Sequence, residues 1–441
     1  MHGWRFLLAA LALALVAWPA SADASAAEAA PETAPAHYAL RARIDADGTL
    51  HARVAIELTA EAAAAPLSFL LAERFAIQRT DAGTGGTVAI AATDQPIAGL
   101  QKITAQFAGP GPARLELDYS GPLTGGENSV AAFAEDRIEL SVDNMWFPVR
   151  EDIGLRFTVD AVFEGIPADY VAVSQGEVTR TEDGAVRMIR TRSDVDLPLI
   201  AARGLRSEAL SGAGFHATDP DGVLTSLFRK HAAQAGEFFR DWFGPIREPF
   251  RIVVLSREQT MGYVRSGYMV LSDGGAAGRE AAKEDFPEAN PAKHIAHEFA
   301  HGWWSPADPL TEHYWLSESV AEYAAIRYVE ATFGIADAQR MIERLRERGE
   351  AAGPVIGHGR PSGDQLYRRG PLLLFELEEA VGRAALDRTL ATLGRDPPRE
   401  TAQFLQALTA EAGAEAAAGF DAALRRDGPL TTEDEASEDT P

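Results

Sequence analysis

From Tyr38 to about Leu210 the chain alternates apolar and polar residues in short runs. Residues 50–58, 115–119, 155–163 and 170–173 each place every second side chain on one face, the period of a half-buried strand. Clusters of Gly, Pro, Asp and Asn separate the runs, so the pattern predicts a β-rich domain over 37–212. Near Leu224 the period lengthens. Residues 224–243 read as an amphipathic helix stopped by Gly244 and Pro245. Residues 250–255 read as a short buried strand and 269–271 as another. Helices are then predicted over 291–304, 316–333, 336–350 and 372–381, with two or three shorter ones completing the chain. The second domain is placed at 213–395 and the closing helices at 396–430. No internal repeat is present.

The bulk numbers narrow the function. A chain of 441 residues is long enough for two or three domains. The net charge of −24 argues against a nucleic-acid partner and against docking on anionic lipid, since both need a basic face. There is no Cys, which removes disulfides, thiolate ligands and Cys nucleophiles. Residues 1–26 have the anatomy of a secretory signal: Arg5, an apolar run over 6–16, then Ala20-Ser21-Ala22 and Ala24-Ser25-Ala26 as small-residue cleavage sites. That run is short for a membrane span of about 20 residues. An exported protein, periplasmic or extracellular, with no stable membrane insertion after cleavage is therefore expected. Residues 27–36 read as a disordered spacer and 431–441 as an acidic, solvated tail.

The chemistry concentrates in the predicted helices. His297-Glu298-Phe299-Ala300-His301 is HExxH. Positions four apart share a helix face, so two imidazoles can hold one metal ion while Glu298 leans toward the water beside it. Asn290 is a good N-cap and Pro291 suits the first helical position. Shortly downstream a second helix opens with Trp315-Leu316-Ser317-Glu318-Ser319-Val320-Ala321-Glu322-Tyr323, residues 302–317 separating His301 from Glu318. The intervening loop can bring Glu318 back to the metal. Two His and one Glu leave an open position, as a catalytic zinc site needs. Glu322, one turn later on the same face, is placed to accept the far N–H of a ligating His. His294 shares the face of His297 and is read as a residue that packs or faces solvent, with no role at the metal.

These residues resemble the aminopeptidase N family (membrane alanyl aminopeptidase-like) of gluzincin zinc metallopeptidases. HEFAHGWW is similar to the family's HExxH with its aromatic pair, and WLSESVAEY to its W-L-N-E-G-F-A-E-Y, with a shorter segment between the two. Tyr367-Arg368-Arg369-Gly370 resembles its Y-E-K-G, and Met145-Trp146-Phe147-Pro148 an aromatic-Pro element of its β-domain. The resemblance covers roughly 38–395, and the large C-terminal helical domain of longer members has no room here. It implies an α+β chain, with an N-terminal all-β domain followed by a thermolysin-like, mostly helical zinc metallopeptidase domain. It also implies one Zn2+ per chain on His297, His301 and Glu318, with Glu322 behind a ligand and Glu298 as catalytic carboxylate. Tyr367 would donate its O–H to the developing oxyanion.

The resemblance makes a peptide or protein the substrate, and release of N-terminal residues the expected reaction. One departure bears on this. The family's G-x-M-E-N strand, whose Glu binds the substrate's free amine, is matched by Gly267-Tyr268-Met269-Val270-Leu271. Met269 and Val270 are thereby the expected substrate-binding positions, and Val270 cannot pair with an ammonium. Glu280, Glu284 and Asp285 lie nearby as other carboxylates. The alternatives are an endopeptidase with the same metal chemistry and a peptide-binding scaffold that cleaves nothing.

Overall fold

The computed structural model describes residues 34–427 apart from 94–98, 125–131, 211–212, 247–248, 259–261, 282–287 and 306. The signal, most of the spacer, the acidic tail, Glu284 and Asp285 lie outside the described residues. The fold is α+β, an all-β half followed by a mostly helical half.

The alternation of the first half becomes a seven-stranded sheet. Its strands lie in the order Glu177–Arg180, Val186–Asp194, Phe157–Glu164, Ala36–Ile44, Thr49–Leu58, Ala113–Pro122 and Ala76–Asp81. Pairing is antiparallel except between Ala36–Ile44 and Phe157–Glu164. The register sets Tyr38 beside Ile56 and Val159, so each strand sends the same parity of side chain inward. Two four-stranded sheets complete this half. Tyr38, Phe69, Trp146, Phe147, Phe157 and Phe163 fill the core between them.

The second half starts earlier than its sequence suggests. Arg206–Leu210 pairs with Ala213–Ala217, and that strand runs parallel to Phe250–Leu255. Both belong to a five-stranded sheet continued by Tyr268–Ser272 and edged by Tyr263–Arg265. Arg206–Leu210, on the N-terminal side of the boundary expected at 212, is thus hydrogen-bonded into this sheet, because a strand follows its hydrogen-bonded neighbours and not its polarity.

Nine helices follow among the described residues: α1 (Val223–Phe243), α2 (Gly275–Ala281), α3 (Ala289–Ala300), α4 (Trp315–Phe333), α5 (Ile335–Gly349), α6 (Gly370–Val381), α7 (Arg383–Arg395), α8 (Thr401–Ala412) and α9 (Ala414–Arg425). No described helix is long and apolar enough to cross a membrane. α3 begins one residue before Asn290, with no side-chain cap, so Asn290 is not its N-cap; Pro291 still sits in the first turn, where a missing N–H costs nothing. α4 is buried on every side from Trp315 to Val329 and accordingly lacks a polar face. Trp315 packs edge-on against Phe404 and Phe420, so the closing helices share one core with the rest of this half.

The two halves are tied by charge. Arg257 faces Glu139 at 3.3 Å with both side chains buried. Arg265 reaches Asp196 at 2.6 Å and Asp143 at 2.8 Å. Burial pushes the Glu139 carboxyl up to about 7 despite the cations of Arg257 and Arg137.

Candidate metal centre

α3 and α4 lie against each other, and their facing sides carry the chemistry. His297 occupies the last turn of α3, and His301 follows at its C-cap with helical backbone angles. The spacing of four is therefore kept past the formal end of the helix. The two rings stand perpendicular, 5.0 Å between centroids. Nε2 of His297 is 3.4 Å and Nε2 of His301 is 3.7 Å from the same Oε2 of Glu318. All three residues are buried, and the three ligand atoms lie within 4.8 Å of one another. A tetrahedral ion with bonds of about 2.0–2.1 Å separates its ligand atoms by about 3.3 Å, so this donor set fits zinc. No other group of three such residues converges among the described residues.

The far sides of both imidazoles are held. His301 Nδ1–H donates to the Trp304 carbonyl at 3.2 Å, which leaves Nε2 as the lone-pair nitrogen. His297 Nδ1 lies 3.0 Å from Oε2 of Glu322, at contact distance but off the ideal hydrogen-bond angle. Lys293 pairs with the other oxygen of that carboxylate. Burial opposes charge on each of these groups, and their mutual contacts win. Glu318 and Glu322 are held well below the usual carboxylate range, Glu322 at about 2, Glu318 chiefly by its charge interaction with His301, Glu322 chiefly by the Lys293 ammonium, and both by contact with His297. Glu318 and Glu322 in turn push His297 up to about 10.

Glu298 is half-buried on α3 between the two His residues. Among the described residues it makes no ion pair or hydrogen bond, yet its charge acts on His294, His297 and Tyr367. It is the free carboxylate of the site. Tyr367 stands with its ring 5.9 Å from that of His297. Burial and the nearby Glu318 carboxylate push its hydroxyl pKa up, so it remains an O–H donor across the neutral range.

Tyr367 is positioned by a π-helical turn, Gln365–Arg369, which runs straight into α6. That wider turn frees the Leu366 carbonyl, and the Ser319 hydroxyl next to Glu318 donates to it at 2.7 Å. A Cβ on Gly370 would lie 2.0 Å from Ser319 Oγ. Gly370 is what lets the tyrosine's element approach the ligand's helix.

The expected substrate-binding pair is placed elsewhere. Met269 and Val270 are both 0% exposed, inside a strand paired on both sides. Val270 packs with Val173, Ile200, Val253 and Leu255 at the junction of the two halves, and Met269 lies in the helical core. Neither side chain is exposed to solvent, so the structure does not place them at a substrate surface. The edge of the sheet is Tyr263–Arg265, and it begins beside α3: a Cβ on Gly262 would lie 3.8 Å from His294 Nε2. His294 itself rests near Phe228, and burial lowers its pKa. Glu280 lies on α2, exposed.

Two groups at the centre had a spacing signal that went unused. Lys293 precedes His297 by four, and Tyr314 precedes Glu318 by four, so each shares a face with its neighbour. Burial together with the charge of the Glu318 carboxylate raises the Tyr314 pKa.

Neither a protein-family model nor a curated protein sequence matches the chain. Solved structures do. Yeast LTA4 hydrolase is 15% identical with a TM-score of 0.69, over 90% of this chain and 69% of that one. An M1 zinc metallopeptidase from Deinococcus radiodurans is 18% identical with a TM-score of 0.59, over 90% of this chain and 96% of that one. A mutant of an M1 zinc metallopeptidase from the same organism, bound to the substrate Tyr-Ser-Ala, is 19% identical with a TM-score of 0.57, again over 90% and 96%. At such identities the likeness is one of fold: this chain has the two-part architecture of these structures.

Proposed function

We propose that the protein is a zinc-dependent peptidase that removes residues from the N-terminus of peptides. The observation that carries the reading is the convergence of both Nε2 atoms on one Glu318 oxygen, with an unpaired Glu298 beside them. Zinc, when held by His297, His301 and Glu318, supplies Lewis acidity, polarising a carbonyl and making water more acidic. Glu298 takes the proton of the attacking water and then hands it to the leaving amine, acting as base and afterwards as acid. Tyr367 donates its O–H to the carbonyl oxygen as negative charge develops there. Glu322 and the Trp304 carbonyl keep both imidazoles in the ligating orientation. The likeness to a metallopeptidase structure bound to Tyr-Ser-Ala supports a short peptide as substrate. Arg5 and the apolar run after it support an exported enzyme.

An endopeptidase of the same chemistry is the second reading. The sheet edge beside α3 favours it, because Gly262 to Arg265 offers no carboxylate for a free amine. Matched peptides, free or acetylated at the N-terminus, separate the two. Release of the first residue from the free peptide alone is expected, and internal cleavage of the acetylated one selects the endopeptidase. In the same assay Glu298→Gln is expected to lower kcat by about 10²- to 10⁴-fold while zinc content stays unchanged. A Glu298→Gln protein with full activity sinks the mechanism.

A further inference from the structure

The Glu318 carboxylate and one cation, Arg360, act electrostatically on both the Tyr314 and the Tyr367 phenol. Its guanidinium carbon lies 5.5 Å from the centre of the Tyr314 ring. Its Nε donates to the Pro309 carbonyl at 2.7 Å. The loop that carries it is tied down as well. Gly357 and Gly359 take positive φ values of 111° and 81°, and Gly357 N–H donates to Glu312 at 2.8 Å. Arg360 is therefore fixed at both its backbone and its Nε, although it is exposed.

Beyond the Tyr314 ring, the rest of the guanidinium has no partner among the described residues. Among the described residues no carboxylate pairs with Arg360, and nothing accepts from its two Nη groups. Arg348, nearby in sequence, is paired with Asp364 at 2.8 Å, and Arg383 with Glu330 at 2.8 Å. Two free Nη groups in one plane match the two oxygens of a carboxylate.

We propose that Arg360 is a carboxylate-binding subsite beyond the metal centre, so that the favoured substrates carry a carboxylate one or two residues past the bond cleaved. This rests on the peptidase reading above and names the substrate class. Arg360 stands across one phenol ring from Glu318, a gap that one or two residues of extended peptide at about 3.5 Å each would span. The shared chemistry is a carboxylate. Its source is either the C-terminus of a di- or tripeptide or an acidic side chain after the scissile bond.

The test is binding, measured by calorimetry on zinc-loaded Glu298→Gln protein, which holds peptides without turning them over. The probes are Ala-Ala, its C-terminal amide Ala-Ala-NH2, and Ala-Glu-NH2. Ala-Ala is expected to bind about 10- to 100-fold more tightly than its amide, the usual worth of a hydrogen bond to a charged group. Adding Arg360→Met is expected to bring that ratio close to one, and Arg360→Lys to restore part of it. Recovery of affinity by Ala-Glu-NH2 assigns the subsite to side chains as well as C-termini. An equal affinity for acid and amide, or a preference that survives Arg360→Met, overturns the subsite. Hydrolysis by the wild-type enzyme is measured alongside with the same probes. Binding with the expected preference but no hydrolysis overturns the peptidase reading and leaves the subsite standing.

Discussion

The helix pair α3–α4 and the strand pair beside it bury their side chains on opposite terms. Between the helices, His297, His301, Glu318 and Glu322 are all nearly inaccessible, and each carboxylate faces an imidazole or an ammonium. In the strand Tyr268–Ser272, Tyr268 to Leu271 are equally inaccessible, but Val270 packs in an apolar cluster. A protein interior accepts charge where the partners are already in place and rejects it elsewhere. The difference tells which of the two regions can host chemistry, and it can be attacked from either side.

The harshest attack is Val270→Glu. Were residue 270 at the substrate's amine, a Glu there would be tolerated and would tighten the binding of peptides with free N-termini. In the dry cluster of Val173, Ile200, Val253 and Leu255 it becomes an uncompensated buried charge. A loss of about 3–5 kcal/mol of stability is expected, read from the denaturant midpoint. Unchanged stability together with stronger aminopeptidase activity would put Val270 back in the site.

A milder attack strips one partner from the polar side. Glu322 is the acceptor that faces His297 Nδ1, and Lys293 holds its other oxygen. Glu322→Ala is expected to weaken zinc binding by about 10- to 100-fold, measured by competition with a chelator. Lys293→Met leaves the carboxylate present but unanchored and is expected to weaken it less. Zinc affinity unmoved by Glu322→Ala would mean that the helix backbone alone orients the imidazole.

The same contrast explains what could be read from the chain. His297, Glu298 and His301 sit on one helix, where a spacing of four fixes the shared face whatever surrounds it. Glu318 and Glu322 repeat that logic on the next helix. A strand carries no such guarantee. Its faces alternate with every residue, so assigning one needs the pairing register. The tract 262–271 contains two short strands joined by Ser266 and Gly267. The Gly-x-Met spelling at Gly267 drew attention to the inner strand, while the edge beside α3 is Tyr263–Arg265. The β-half was legible as a class for the opposite reason: alternation repeated over many strands needs no exact register. The place of Arg206–Leu210 in the second sheet was hidden because the strand is mostly exposed and polar, and its partner is fixed by backbone pairing that no alternation records. Arg360 carries no local signal at all, since its role depends on Tyr314, Pro309 and Tyr367 meeting across three segments.

The gentlest test leaves every residue in place and changes only pH. With Glu318 and Glu322 on either side, His297 is pushed up to about 10, so the metal-free centre holds a proton there at neutral pH. Both carboxylates are held low and contribute no proton of their own between pH 6 and 8. Zinc needs the neutral imidazole, so binding must expel the His297 proton. Affinity is then expected to rise with pH, by about tenfold per unit over that interval, once chelator protonation is corrected for. The linkage runs the other way for the metal-free fold. A raised imidazole pKa stabilises the protein fully below the unfolded value near 6.5, and that contribution fades as pH climbs toward about 10. Raising pH should thus strengthen the metal's hold while loosening the metal-free protein. Glu322→Ala, which removes one of the two carboxylates responsible, should flatten both trends together. If the two trends flattened separately, the proton would reside somewhere other than the imidazole that the metal needs.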